Sequence, residues 1–140
     1  MKRILLSFIA LLTIFNSAAY SFDFHRLDNV NIEEVTIKAQ KGDAEAQCTL
    51  GSCLLEGHYV EKDEQEAMIW LHKSAKQECS DAQTMLGIIF YSDTFKGVKQ
   101  NKEEGKYWLQ RAAKNGCEYA KSWLRTIESL ERFERAVRYY

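Results

Sequence analysis

Ala46-Gln47-Cys48-Thr49-Leu50-Gly51 returns 36 residues later as Ala82-Gln83-Thr84-Met85-Leu86-Gly87, with Ala, Gln, Leu and Gly held in place. Further along, Trp70, Leu71 and Ala75 return after 38 residues as Trp108, Leu109 and Ala113. Self-similarity at such a period marks a supersecondary unit that cannot bury its apolar face alone and so stacks on a copy of itself.

The unit is helical. The 140 residues contain no Pro and seven Gly, five of them at loop-like points: Gly42, Gly57, Gly97, Gly105 and Gly116. Apolar positions follow helical rather than alternating spacing. Asn31 with Glu34, Asp63 with Glu66, Ser80 with Gln83 and Asn101 with Glu104 each read as a capping box. Gly42 and Gly116 fall where a helix stops in a left-handed turn. Helices are therefore expected over about 31–41, 43–56, 63–76, 80–92, 101–115 and 117 to the end. Ala46, Leu50 and Leu54, with Gln47 and Gly51, should face the second helix of their unit, and Gly51 and Gly87 should let two backbones approach closely. Trp70, Trp108, Ala67, Leu71, Ala75, Leu109 and Ala113 should fill the other side of that seam.

Residues 1–19 read as a cleaved export signal: Lys2 and Arg3, an apolar run from Ile4 to Phe15, then the small residues Ser17-Ala18-Ala19. Cleavage is expected after Ala19, with Ser21 the next choice. The apolar run is too short for the roughly 30 Å hydrocarbon layer of a bilayer. Losing Lys2 and Arg3 takes the formal charge from −1 to −3 and leaves 121 residues, enough for one small domain, 20–140. Basic and acidic residues are interleaved, which argues against a nucleic-acid partner.

At its repeating positions the chain resembles the Sel1-like repeats, whose first helix reads A-x-x-x-L-G-x-x-Y and whose second reads A-x-x-W-x-x-x-A-A. The first unit here supplies Ala46, Leu50, Gly51, Gly57, Val60, Asp63, Ala67, Trp70 and Ser74-Ala75. The second supplies Ala82, Leu86, Gly87, Gly97-Val98, Asn101, Trp108 and Ala112-Ala113. The resemblance covers about 39–124 and implies an all-α fold: an α/α superhelical solenoid of helix-turn-helix repeats, with a C-terminal capping helix. An N-terminal helix (31–41) would precede repeats at about 43–78 and 79–116 and a cap at 117–140.

Departures mark where the pattern changes. Unit two has two extra residues near Ser92 to Phe95, Gly105 stands in place of Ala67, and Glu78 stands where Gly42 and Gly116 stand. The third unit keeps Ala120 and Leu124 but has Arg125 for Gly, so it reads as a cap. Its stripe is Trp123, Ile127, Leu130, Phe133, Val137 and Tyr140, supported by Glu128–Arg132, Glu131–Arg135 and Glu134–Arg138 pairs.

No catalytic motif is present: no G-x-S-x-G, S-x-x-K, H-E-x-x-H, P-loop or C-x-x-C. Cys48 and Cys53 diverge around their helix, so a zinc site with His58, His72 and Cys79 is not expected, and no cofactor is. Export with four cysteines would ordinarily imply two disulfides. Bridging Cys48 to Cys53 needs about 7.5 Å of helix rise, and bridging Cys117 to Cys48 or Cys53 crosses stacked helices, so no full framework is expected. Cys79 with Cys117 is marginal and stays open. Disulfide-rich relatives place their cysteines differently, so those bridges do not transfer.

The resemblance implies recognition of another protein, without catalysis. In a curved stack the first helices line the inner side. The free positions there are Cys48, Ser52 and Leu55, then Thr84, Ile88 and Tyr91, then Ser122 and Thr126, with Phe95 beside Tyr91 in the longer loop. Ser52, Leu55, Thr84, Ile88, Tyr91, Phe95, Ser122 and Thr126 are thus the expected partner-binding residues. Family resemblance and size favour a periplasmic or secreted immunity-type protein that neutralises a toxic enzyme, such as a type VI secretion effector. The alternatives are an adaptor for a cell-envelope or host-interaction complex and, from another class, a β-lactam-binding or hydrolysing enzyme, against which the missing S-x-x-K weighs.

Overall fold

The computed structural model describes residues 29–93 and 95–139. The export signal expected over residues 1–19 lies outside them. The described helices belong to one unit of the chain, Asn31–Tyr140. They are α1 (Ile32–Gln40), α2 (Ala44–Glu56), α3 (Glu64–Lys76), α4 (Ser80–Tyr91), α5 (Lys102–Lys114) and α6 (Glu118–Arg138), and no strand occurs among the described residues.

Three helix starts follow from their caps. Asn31, Asp63 and Asn101 accept the backbone N–H of Glu34, Glu66 and Glu104, respectively, satisfying a donor the helix itself cannot. Ser80 differs. It is the first residue of α4 rather than its cap; Cys79 holds the cap position, and Gln83 turns away to bond elsewhere. The same position one unit earlier is Asp43, whose carboxylate accepts from Ala46 N–H at 2.7 Å.

α1, α3 and α5 end in the same turn. Gly42, Glu78 and Gly116 donate their N–H to Ala39, Ala75 and Ala113 carbonyls, and the next residue donates five positions back, to Lys38, Ser74 and Ala112. All three turn residues are left-handed, at φ 96°, 64° and 89°. Glu78 tolerates what glycine adopts freely because its carboxylate accepts from Gln83 Nε2 at 3.0 Å and Asn115 Nδ2 at 2.9 Å and pairs with Arg111.

Within each unit the two helices close on a glycine. A Cβ at Gly51 would stand 2.8 Å from Leu71 Cγ and 3.2 Å from the Ala67 carbonyl; at Gly87 the figures are 2.5 Å to Leu109 Cγ and 3.0 Å to the Gly105 carbonyl. Leu71, Leu86 and Leu109 are fully buried there. Trp108 lies in the core, but Trp70 is only half-buried: its Nε1 donates to Glu66 at 3.1 Å and Lys73 Nζ sits 4.0 Å above its ring.

Between units the tie is a buried glutamine. Gln47 Nε2 donates to the Ala39 carbonyl and Gln83 Nε2 to the Ala75 carbonyl, both at 3.1 Å. Each side-chain oxygen then accepts from the end of its own unit's second helix, Gln77 at 2.8 Å and Asn115 at 3.1 Å. Buried amides are stable only when satisfied in this way. At the third unit the position is Lys121, which pairs with Glu118, so the tie stops there. In α6, Trp123 and Ile127 are buried while Phe133 and Val137 are exposed. Glu131 reaches across to Lys106 of α5 at 2.8 Å, and Arg135 Nε turns to the Glu131 carbonyl.

Candidate functional site

Four of the eight expected partner-binding residues are inside the stack. Ser52 donates to the Cys48 carbonyl at 2.9 Å and to Met85 Sδ at 3.3 Å, which places it under α4. Leu55 is buried beside it. Thr84 donates to the Ser80 carbonyl at 2.7 Å and meets Cys117 Sγ at 3.5 Å, which closes α4 against the head of α6. Tyr91 is 6% exposed. Its neighbours include Gly105, whose backbone lies so close that an added Cβ would stand 2.7 Å from Tyr91 N. Burial raises the pKa of the Tyr91 hydroxyl, with Glu131 and then Glu134 adding to the rise.

Ser52 and Thr84 are buried because consecutive first helices touch one another directly, so positions that look unused within a unit are used between units, whereas Tyr91 is closed over by α5 of its own unit. Leu55 and Tyr91 are register equivalents, 36 residues apart. That aliphatic partner was the sequence signal that Tyr91 faces inward.

Ile88, Phe95 and Thr126 are half-buried and Ser122 is exposed; these four remain accessible. Phe95 is not an arm reaching over the inner side. Its loop is tied back to the start of α3, where Gln65 Nε2 donates to the Gly97 carbonyl at 2.6 Å and Gly97 N–H donates to Glu64 at 2.7 Å. Gly97 thereby ties this loop to the first unit. Asn101 N–H still reaches the Phe90 carbonyl at 2.8 Å, as Asp63 N–H reaches Leu54 at 2.9 Å.

The second helices carry a feature the sequence reading passed over. Ile69 on α3 and Tyr107 on α5, 38 residues apart and so in equivalent positions, are 55% and 50% exposed. Each stands beside a tryptophan and a cation. Lys73 lies over Trp70, while Arg111 is 5.9 Å from the Tyr107 ring and 5.7 Å from the Trp108 ring. The two helices meet where His72 packs against Trp108 with ring centroids 5.7 Å apart. Burial lowers the pKa of His72, against the pull of Glu104. The recurrence of Ile69 and Tyr107 at the tryptophan period was the available signal. An isolated apolar residue on a helix surface is ordinary and carries no such message alone.

Among the described residues no group of three or more His, Cys, Asp or Glu side chains could hold a metal ion, and no helix is long and apolar enough to cross a membrane. None of the four cysteines is in a disulfide.

The Sel1 repeat family model matches residues 44–79 and 80–117. Among solved structures, a protective antigen present in uropathogenic Escherichia coli strains, described as displaying an SLR fold, is similar at 34% identity with a TM-score of 0.61, covering 66% of this chain and 19% of that one. A Sel1 repeat protein from Oxalobacter formigenes is similar at 33% identity with a TM-score of 0.59, covering 66% of this chain and 26% of the other. The chain thus spans about a fifth to a quarter of these relatives. No curated protein matches in sequence.

Proposed function

The chain belongs to the Sel1 repeat family, and on that premise we propose a non-catalytic module that grips another protein through the exposed side of α3 and α5. The observation that carries this reading is the recurrence, one unit apart, of a half-exposed apolar side chain beside a cation and a tryptophan: Ile69-Trp70-Lys73 and Tyr107-Trp108-Arg111. Aromatic and Arg side chains are the types that dominate protein interfaces, and two anchors at unit spacing suit a macromolecular partner better than a small molecule. Ile88, Ser122 and Thr126 form the competing inner site.

The finer proposal is a periplasmic binder that occludes a toxic enzyme. Its support is the export signal read in residues 1–19 and a small repeat stack whose mature form can cover a partner without chemistry of its own. The description of one similar structure as a protective antigen favours a second reading, an adaptor in a cell-envelope or host-interaction complex.

Expression of the whole chain in a bacterium, N-terminal sequencing of the product and capture of partners from envelope extract test all three levels. A product beginning at Tyr20 or Phe22 in the periplasmic fraction supports export, and one retaining Met1 in the cytoplasm overturns it. Ile69→Glu with Tyr107→Glu is expected to weaken the captured partner by about 2 kcal/mol, roughly thirtyfold. Unchanged binding, with loss instead on Ile88→Arg and Ser122→Arg, moves the site to the inner side. Neutralisation of the partner's toxic activity separates the immunity role from the adaptor role. Turnover of a chromogenic β-lactam, abolished by a single substitution, would establish the enzyme class.

A further inference from the structure

Cys48 and Cys79 are not in one unit, yet the stack brings them together. Cys48 is on α2, one turn before Ser52, whose hydroxyl touches Met85 of α4. Cys79 is the residue on which α4 begins. The equivalent pair one unit on, Thr84 and Cys117, repeats the arrangement with Oγ1 and Sγ 3.5 Å apart. Unit two thus measures, with a hydroxyl, the closeness that unit one fills with a second thiol.

We propose that Cys48 and Cys79 are a dithiol pair that forms a reversible disulfide, stapling the first repeat to the head of the second. Cys79 is the attacking sulfur and Cys48 the resolving one. The burial of each thiol fixes the order: Cys48 is buried and Cys79 half-exposed, so an incoming disulfide meets Cys79 first. The surroundings of Cys79 favour its thiolate. The Cys48 thiol donates to it, the Ala82 N–H, the Ser74 hydroxyl and the Asp81 N–H add to this, and against the cost of burial the pKa falls to about 5. The helix start supplies the same N–H groups to which Asp43, its equivalent one unit earlier, presents its side-chain oxygen.

The oxidant is a small-molecule or protein disulfide. The Cys79 thiolate attacks one of its sulfurs, making a mixed disulfide and expelling the first thiolate. Cys48 then gives up its proton to that leaving thiolate and attacks Cys79 Sγ, expelling the second thiolate, which takes up a proton from solvent. Two protein thiols are oxidised to one disulfide, and the external disulfide is reduced to two thiols. This pairing differs from every bridge weighed from the sequence, each of which involved Cys53 or Cys117.

The test uses the full chain with oxidised glutathione as probe, followed by alkylation and peptide mapping under non-reducing conditions. The expected product is lighter by two hydrogens, carries a single cross-link between the Cys48 and Cys79 peptides, leaves Cys53 and Cys117 alkylatable, and melts roughly 10 °C higher than the reduced protein. Before oxidation, Cys79 should react with iodoacetamide at pH 6 about tenfold faster than a free thiol, the gain in thiolate outweighing its lower nucleophilicity. Cys48→Thr, which copies the residue at Thr84, should keep the fold and stop the reaction at the mixed disulfide on Cys79. A cross-link through Cys53 or Cys117 in the wild type, or a persistent mixed disulfide on Cys79 with Cys48 still alkylatable, overturns the proposal.

Discussion

The two repeats share a register and differ in how they close. In the first, Ala67 and Leu55 occupy the positions that Gly105 and Tyr91 hold in the second. Removing one methyl lets α5 approach α4 until an added Cβ would stand 2.8 Å from the Gly87 carbonyl, and the larger Tyr91 fills the side of the closer pair. The tryptophans diverge for a different reason. Trp108 is packed against His72, supplied by the preceding second helix. The residue equivalent to His72 on α1 is Thr36, whose hydroxyl is spent on the Ile32 carbonyl, so Trp70 meets no ring there. A repeat motif fixes positions, while burial at a position depends on the neighbour the previous unit provides.

The sharpest way to break this comparison is to delete both tryptophans in turn. Trp108→Ala should cost about 3–5 kcal/mol in denaturant melts, and Trp70→Ala less, about 1–2 kcal/mol, because Trp70 is only partly buried and its indole N–H already bonds the exposed Glu66. Equal costs would mean that the units are packed alike. Next in size is the glycine exchange. Gly105→Ala should lose about 1–3 kcal/mol, since the clash is with backbone atoms that cannot rotate away, whereas Ala67→Gly should lose about 1 kcal/mol from helix propensity and a buried methyl. Adding Tyr91→Leu to Gly105→Ala should bring no rescue, because the obstructing atoms include Tyr91 N and the Gly87 carbonyl.

Glu78 sharpens the comparison at the turns. Glu78→Ala keeps the left-handed strain and loses the partners, so it should be about 1 kcal/mol less stable than Glu78→Gly, measured by thermal or denaturant unfolding. The smallest effect belongs to His72. Its folded pKa lies below the ordinary 6.5, so the unfolded chain takes up the proton first. Stability is therefore full above about pH 6.5 and declines as pH falls from there toward the folded value. His72→Gln, which copies the equivalent Gln110, should flatten that part of the pH profile. An unchanged slope would place its origin elsewhere.

Most of the helical framework was legible because its signals are local. Asn31, Asp63 and Asn101 cap where a capping box predicts, and Gly42 and Gly116 turn left-handed where a helix must stop. Ser80 misled because Cys79, not a usual capping residue, took the cap position and Gln83 was needed for the tie to Ala75. The expected binding set was half legible. Ile88, Phe95, Ser122 and Thr126 have accessible surface, but the burial of Ser52 and Thr84 arises from contact between first helices of different units. Those contacts have no spacing signature within one unit. The same blindness hid the nearness of Cys48 to Cys79.

Gln83 also sets how the molecule breathes. Fully buried, it holds the Ala75 carbonyl on one side and Asn115 on the other, so peeling either neighbour away strands an amide group without water. Loss of order is then easiest where no such residue bridges onward, in the turns of α6 that run past Ile127 with Phe133 and Val137 bare to solvent. In deuterium oxide those turns should exchange their amide protons first and the segments flanking Gln83 last. The interval between the two would time how long the tail of α6 lives apart from the stack it caps.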